Sequence, residues 1–504
     1  MKNHILVGLA LSTSCFSFAQ TEGDVFFGMP SVHTIKFTFP YSNYTDSLTW
    51  SYDNDTYIKG DVEIDAITYI DCGVKWKGNS SYTAPGNKKS FKIDLNEFVS
   101  GQDHDGLKKL NLNNAFKDPS FLREKLALDF YNYRGIPSPR CAYVEVYING
   151  TLWGLYTGIE EIDKTFLKRW FGEKKGNLFK GDPTGDLKWM GSTPSTYYTK
   201  YELKTNTTTN DWTDLVNLIN VINNAPAVSY VNDLDSVLNT SEYIYSWASE
   251  ILFANLDSYS GSGHNYYVYH DSTTNKFRYI VWDVNEAFGE FNMGMTISQL
   301  ENLAITYISP PSTNRPLHNN MLLNGYKQPL YDAVCDLINF DWSIWNMTAK
   351  IDSLTTIIRP YVYADPNKFY TNANFETNID SDLTIGGGPG GGTFPGIRSF
   401  LTNRRNGILT EMAANSCVVG IDESTENMNF DLFPNPATDL ISISGINENS
   451  TITIFDMTGA QISTYPDSKI NQTINISGLP KGIYLVNIKN TKFGINLNNK
   501  LIKN

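Results

Sequence analysis

Residues 265–283 read Asn-Tyr-Tyr-Val-Tyr-His-Asp-Ser-Thr-Thr-Asn-Lys-Phe-Arg-Tyr-Ile-Val-Trp-Asp, and this stretch decides how the centre of the chain folds. Tyr266–Tyr269 and Phe277–Trp282 are rich in aromatic and β-branched residues, which suit a pleated, half-buried surface. The polar run Asp271 to Asn275 between them predicts a turn centred near position 274. Asn265 and Asp283 are each nine residues from that centre, so antiparallel pairing is expected to set them side by side at the open end of a hairpin. An amide oxygen next to a carboxylate is an oxygen-donor pair suited to Mg²⁺. Just upstream, Asp257 lies in a Ser/Gly-rich loop that ends at His264, able to reach the same spot.

Working outward, residues from about 24 to 98 read as β structure. Val62–Ile64, Ile67–Tyr69 and Val74–Trp76 alternate, turns are expected at Lys59-Gly60 and Asn79-Ser80-Ser81, and Ser90 to Leu95 forms a further strand. In that strand Ser90 and Lys92 share one face while Phe91 and Ile93 take the other. A helix follows, with Asp118 as N-cap, Pro119 in the first helical position and Gly135 as its stop. Leu122, Leu126, Phe130 and Tyr133 fall on one of its faces, and Glu124 shares another with Ala127, Leu128 and Tyr131. Ala142–Ile148 and Leu152–Ile159 are joined by Asn149-Gly150, a strong hairpin signal. The connector Glu160-Glu161-Ile162 leads to a helix opened by Asp163. Residues 210–255 and most of 290–412 read as helical, the latter broken at the Pro-rich 309–316 and at the glycine run 386–392. That run is a loop, and no Lys-Ser/Thr follows it to make a phosphate cradle.

The chain's 504 residues allow roughly two to four domains. A formal charge of −13 argues against nucleic acid as the main partner, because phosphate backbones are bound by Lys and Arg. A nucleotide needs only a local positive pocket. Lys2 and His4, the apolar run Ile5 to Leu11 and small residues to Ala19 have the layout of a secretory signal over 1–19. Cys15 leaves a lipoprotein variant open, although Ser12 stands where such a sequence prefers Leu. No later segment is apolar enough to predict a transmembrane span. Cys72, Cys141, Cys335 and Cys417 match no zinc spacing; they are read either as disulfide partners after export or as small buried side chains.

After a polar linker over 413–428, residues 429–504 alternate sharply. Ile441 and Ile443, Ile452 and Ile454, Ile474 and Ile476, and Tyr484, Val486 and Ile488 keep a period of two, which predicts a small all-β sandwich. Phe433-Pro434-Asn435-Pro436-Ala437, Phe455-Asp456-Met457-Thr458-Gly459 and Leu479-Pro480-Lys481-Gly482-Ile483-Tyr484 resemble the type A sorting domain of the type IX secretion system. The resemblance implies handling by that machinery, passage through the periplasm, and release or attachment at the outer cell surface.

The central region is similar in order of parts to protein kinases, whose catalytic loop carries a base Asp and a metal-binding Asn, followed by two strands and a metal-binding Asp. Here the order is Asp257, Asn265, two strands, Asp283. Val74-Lys75-Trp76-Lys77-Gly78-Asn79-Ser80-Ser81, Lys88-Lys89-Ser90-Phe91-Lys92, Asp118-Pro119-Ser120-Phe121-Leu122-Arg123, Tyr147-Ile148-Asn149-Gly150-Thr151-Leu152-Trp153-Gly154-Leu155-Tyr156, Asn265-Tyr266-Tyr267 and Trp282-Asp283 resemble the CotH (spore coat protein H-like) kinases over 60–412. Members often carry a second acidic residue after the Trp-Asp pair, where this chain has Asn285.

The resemblance implies an α+β fold: a two-lobed, atypical kinase-like domain, with 20–59 in its N-terminal lobe, ahead of the sandwich. It implies transfer of the ATP γ-phosphate to Ser or Thr of exported proteins, with Mg²⁺ or Mn²⁺. On that pattern Lys92 would hold the α/β-phosphates with Ser90 beside it, and Glu124 would orient Lys92. Asn79 and Ser80 would cover the phosphates, and Glu160, Glu161 and Ile162 would form the adenine-binding hinge. Asn265 and Asp283 would hold the metal, and Asp257 would position the accepting hydroxyl. Two other readings stand beside it: a surface adhesin that keeps the scaffold without catalysis, and a polysaccharide-binding protein.

Overall fold

The computed structural model describes residues 21–28, 31–339, 341–386, 391–413, 431–444, 450–456, 459–468, 472–490 and 495–504. The expected leader, Cys15, Cys417, most of the linker and positions 387–390 of the glycine run lie outside them. The fold is mixed α+β, followed by an all-β C-terminal region.

Seven strands close a barrel: β1 (His33–Thr38), β2 (Ile58–Ile64), β3 (Ile67–Lys77), β4 (Ser90–Asp94), β5 (Lys109–Asn113), β6 (Cys141–Ile148) and β7 (Thr151–Glu160), in the order β1-β2-β3-β4-β5-β7-β6. Closure removes sheet edges. Val74, Trp76, Phe91, Ile93, Leu110 and Leu112 are buried in one core cluster, each worth about 1.5–3 kcal/mol relative to exposure. Because side chains alternate, the opposite face of β3–β5 carries Lys75, Lys77, Ser90, Lys92, Asn111 and Asn113. The pairs Lys75–Lys92, Lys77–Ser90 and Lys92–Asn111 fix this register.

The stretch before position 98 is not all β. Asp24–Phe27 and Tyr44–Asp53 are helices, the second burying Leu48 and Ser51. Lys59-Gly60 lies within β2, and the chain reverses instead at Asp65 and Ala66, with φ of 45° and 71°. Asn79-Ser80-Ser81 enters a single helical turn, Ser80–Thr83. The helix expected from Pro119 begins at Arg123 and ends at Tyr133. Asp118 is not the N-cap, a position Leu122 takes without a side-chain bond; its carboxylate instead accepts from the amides of Ser120 and Arg123 at 3.1 and 2.9 Å, bracing the turn that leads into the helix. The β6–β7 hairpin turns on Asn149 and Gly150 at φ 47° and 78°, as an Asn-Gly turn requires.

The second part packs helices around a four-stranded sheet of β8 (Leu178–Gly181), β9 (Tyr201–Leu203), β10 (Tyr266–Asp271) and β11 (Lys276–Val281), ordered β11-β10-β8-β9. It is joined to the barrel by a charge pair with no solvent exposure, Lys88 Nζ to Asp365 Oδ2 at 2.5 Å. Asp365 also accepts from the Leu155 amide at 3.0 Å. A Cβ on Gly154 would stand 2.4 Å from the Asp365 carboxylate, and its φ is +144°, so only glycine allows the approach. Among the described residues no helix is long and apolar enough to cross a membrane. Cys72 and Cys141 are buried thiols, and Cys335 is disulfide-bonded.

The C-terminal strands form a three-stranded and a four-stranded sheet. Ile441, Ile443, Ile452, Ile454, Ile474, Ile476, Tyr484, Val486 and Ile488 share one core, as their alternation predicts.

Candidate functional site

The polar face of the barrel carries a continuous hydrogen-bonded chain. Lys92 donates to Glu161 Oε1 at 2.7 Å, and Asn111 donates to Glu161 Oε2 at 2.6 Å. Lys77 donates to Asn111 Oδ1 at 3.2 Å and Asn113 Oδ1 at 3.3 Å, and Asn113 donates to Glu124 Oε1 at 2.7 Å. Asn111 and Asn113 are two apart on β5, which puts both amides on one face. Lys92 therefore pairs with Glu161; the expected Lys92–Glu124 pair is not formed. Glu124, on the helix Arg123–Tyr133, belongs instead to the Lys77 end of the chain. Lys77 itself is held by two amide oxygens rather than by a carboxylate.

The hairpin delivers the other half. Tyr266 pairs with Val281 and Asp271 with Lys276, so four residues make the turn and the register is one residue off the expected one. Extended, it sets Asn265 opposite Trp282 rather than Asp283. Both Asn265 and Asp283 then leave strand geometry, at φ 60° and 53°, which re-aims their side chains. Left-handed backbone at Asp is uncommon and marks sites where the surroundings impose the conformation. Asn265 Nδ2 donates to Asp257 O and Oδ2, both at 2.9 Å, while His264 Nε2 lies 2.8 Å from Asp257 Oδ1.

The electrostatics join the two halves. Burial pushes the Asp283 carboxyl up, Lys77 opposes that, and the charge of Asp257 adds to it. Burial pulls the Lys77 ammonium down, against the pull of Asp283, Glu161 and Glu124. Burial, then the charge of Asp283, pushes Glu124 up to about 8. Burial would raise Glu161 too, but Lys92 and Asn111 hold it down to about 2. The hydrogen bond to Asp257 raises His264. Lys77 also lies 5.6 Å from the centre of the Trp282 ring, next to Asp283 in sequence.

The remaining expected residues divide. Ser90 is buried beside the chain and accepts from the Asn114 amide at 3.2 Å. Asn79 and Ser80 are exposed at the barrel rim. Glu160 is 1% exposed and bound by Arg140 and Arg169, each at 2.7 Å, which makes it a structural hub. Ile162 packs with Phe166, Leu178, Tyr267 and Ile280. Among the described residues no cluster of three or more His, Cys, Asp or Glu is arranged to hold a metal.

Sequence reading passed over Lys77, Asn111 and Asn113, although the Lys-Leu-Asn-Leu-Asn pattern of β5 signals two polar groups on one face. It also missed Lys180, two residues before Asp182 and paired with it at 2.5 Å, whose charge bears on Asp283. Glu286 pairs with Lys117 at 3.4 Å, and burial together with Glu286 pushes Glu290 up to about 8.

The model of the CotH kinase protein family matches residues 74–383, and that of the secretion system C-terminal sorting domain matches 431–504. The inner spore coat protein H of Bacillus subtilis (strain 168) is 27% identical over 319 residues, 62% of this chain and 83% of that protein. A solved structure of PorZ, described as an essential bacterial surface component of the type-IX secretion system of Porphyromonas gingivalis, overlaps 17% of this chain. It does so at 15% identity and a TM-score of 0.15, over 13% of its own length, an overlap too small to bear on the fold. With its family match spanning more than half its length and a sorting domain behind it, the chain belongs to the CotH kinase protein family, as an exported member.

Proposed function

We propose that this protein is an exported atypical kinase. It would transfer the γ-phosphate of ATP to Ser or Thr hydroxyls of proteins at or beyond the outer cell surface, after delivery by the type IX machinery. The observation that carries the reading is Lys77, a partly buried ammonium held by two amide oxygens and within the field of Asp283. A partly buried cation with no carboxylate in hydrogen-bond contact favours an anionic ligand, and a polyphosphate supplies one.

The donor set fits a magnesium nucleotide. Asn265 commits its amide hydrogens to Asp257, which leaves its oxygen for a cation, and Asp283 adds a carboxylate. Two protein oxygens are few for a protein-only cage, but Mg²⁺ usually completes its shell with water and substrate phosphate. When bound, Mg²⁺ or Mn²⁺ would neutralise charge on the phosphates. Lys77 takes the phosphate-pairing role expected of Lys92, and the Lys92–Glu161 pair fixes Asn111, which orients Lys77. Glu124 orients Lys77 from the other side through Asn113. Asp257 Oδ accepts a hydrogen bond, and then the proton, from the acceptor hydroxyl, while His264 and Asn265 hold its carboxylate in place. Positioning and electrostatics supply most of the rate.

The test is binding and transfer with the mature protein. Calorimetric titration with Mg·ATP, followed by transfer of labelled γ-phosphate to the protein itself or to a mixture of surface proteins, should give binding and label. A protein that binds no Mg·ATP and transfers no label is not this kinase.

A further inference from the structure

Glu250 lies on the helix Thr240–Leu252, makes no hydrogen bond to the groups assigned above among those described, and is 3% exposed. Its Oε2 accepts from Ser260 Oγ at 2.7 Å and lies 2.9 Å from Ser258 Oγ, whose single hydrogen also has Asn255 O at 2.7 Å, and its Oε1 accepts from the Tyr279 hydroxyl at 2.9 Å. A carboxylate has acceptor capacity for all of these hydroxyls at once. Ser258 and Ser260 flank Tyr259 in the loop that begins at Asn255 and runs to His264, and Asp257 is the residue before Ser258. The loop closes on itself: the amides of Gly261 and Gly263 both bond to Ser258 O, and that of Ser262 bonds to Leu256 O at 2.8 Å. Arg315, 7% exposed, donates to Gly261 O from below.

We propose that Glu250 is a positioning residue for Asp257. It fixes the two serines, the serines fix the turn of the loop, and the turn aims the Asp257 carboxylate between His264 and Asn265. Two hydroxyls from one short loop converge on Glu250, and removal of a buried acceptor leaves its donors unsatisfied. The role of Asp257 in transfer rests on the kinase reading; the hold of Glu250 on the loop does not.

The experiment compares Glu250→Gln with Tyr279→Phe in the mature protein. Tyr279→Phe removes a bond to the same carboxylate but none to the loop. Amide hydrogen exchange at Gly261, Ser262 and Gly263 should speed up by about tenfold or more in Glu250→Gln through local opening, and stay near wild type in Tyr279→Phe. In the same variants kcat for phosphate transfer should fall about 10²-fold in Glu250→Gln and stay near wild type in Tyr279→Phe. If Glu250→Gln does not fold, Ser260→Ala replaces it with the same expectation for exchange. Unchanged exchange, or an equal loss of kcat in Tyr279→Phe, overturns the proposal. Faster exchange in a protein that transfers no phosphate upholds the hold on the loop and counts against the kinase reading alone.

Discussion

The Lys77 ammonium lies 5.6 Å from the centre of the Trp282 indole ring. That contact brings the end of a barrel strand onto the end of the β10–β11 hairpin, and it brings the ammonium towards the neighbouring Asp283. A cation over an indole face is worth roughly 0.5–2 kcal/mol, more when desolvated. Here it leaves the charge of Lys77 directed at a carboxylate that burial disfavours.

Substituting the two lysines separates their roles. Lys77→Met should cost about 10²–10³-fold in kcat/KM, as loss of a charge-stabilising donor does. Lys92→Met should cost less, because Lys92 acts through Glu161 and Asn111. Steady-state kinetics on both variants checks the order; a larger loss from Lys92→Met would return the phosphate contact to β4.

Asp257 and Asp283 should split binding from chemistry. Asp257→Asn should keep Mg·ATP affinity while transfer falls about 10²–10⁴-fold, the usual worth of a positioned base. Asp283→Asn should abolish the metal dependence of nucleotide binding. Calorimetry with and without Mg²⁺ on the two variants reads the difference.

Glu124 predicts a pH dependence of stability in the metal-free protein. Its folded value is pushed from 4.5 up to about 8, so between those values the folded state binds more protons than the unfolded state. Stability from this group is therefore full below about pH 4.5 and is lost as pH rises through 8. Glu161, held down to about 2, acts oppositely, its contribution being present above about pH 4.5 and lost in acid. Thermal unfolding from pH 5 to 9 should show a decline that Glu124→Gln flattens.

The Lys88–Asp365 pair should behave as a buried charge lock. Lys88→Met strands a carboxylate with no solvent exposure, at about 3–5 kcal/mol. Gly154→Ala forces a Cβ to within 2.4 Å of the same carboxylate and should destabilise by a similar route. Urea unfolding measures both, and neither substitution should alter transfer at low urea beyond its effect on the folded fraction.

Much of this fold is legible in the residues. The hairpin strands, the Asn149-Gly150 turn and the isoleucine alternation of the C-terminal sandwich are local signals, and local chemistry decides them. The failures are non-local. Tyr44–Asp53 is rich in Tyr, Thr and Trp, which favour strands, yet it is helical because Leu48 and Ser51 pack on the barrel. Lys77 and Lys92 share one face of adjacent strands, so parity alone cannot choose between them; the amides of β5 and the Trp282 ring decide. The hairpin register depends on whether four or five residues turn, and Asn265 and Asp283, just beyond the paired strands, both take αL backbone that strand periodicity does not foresee. Glu250 gave no signal, because its partners lie in a loop and a strand beyond it in sequence.

The most direct test is γ-phosphate transfer from labelled ATP with Mg²⁺ by the mature protein beside its Asp283→Asn and Lys77→Met variants. The account predicts label with the unaltered protein and none above background with either variant. Equal labelling by all three, or no Mg·ATP binding by the unaltered protein, would contradict it.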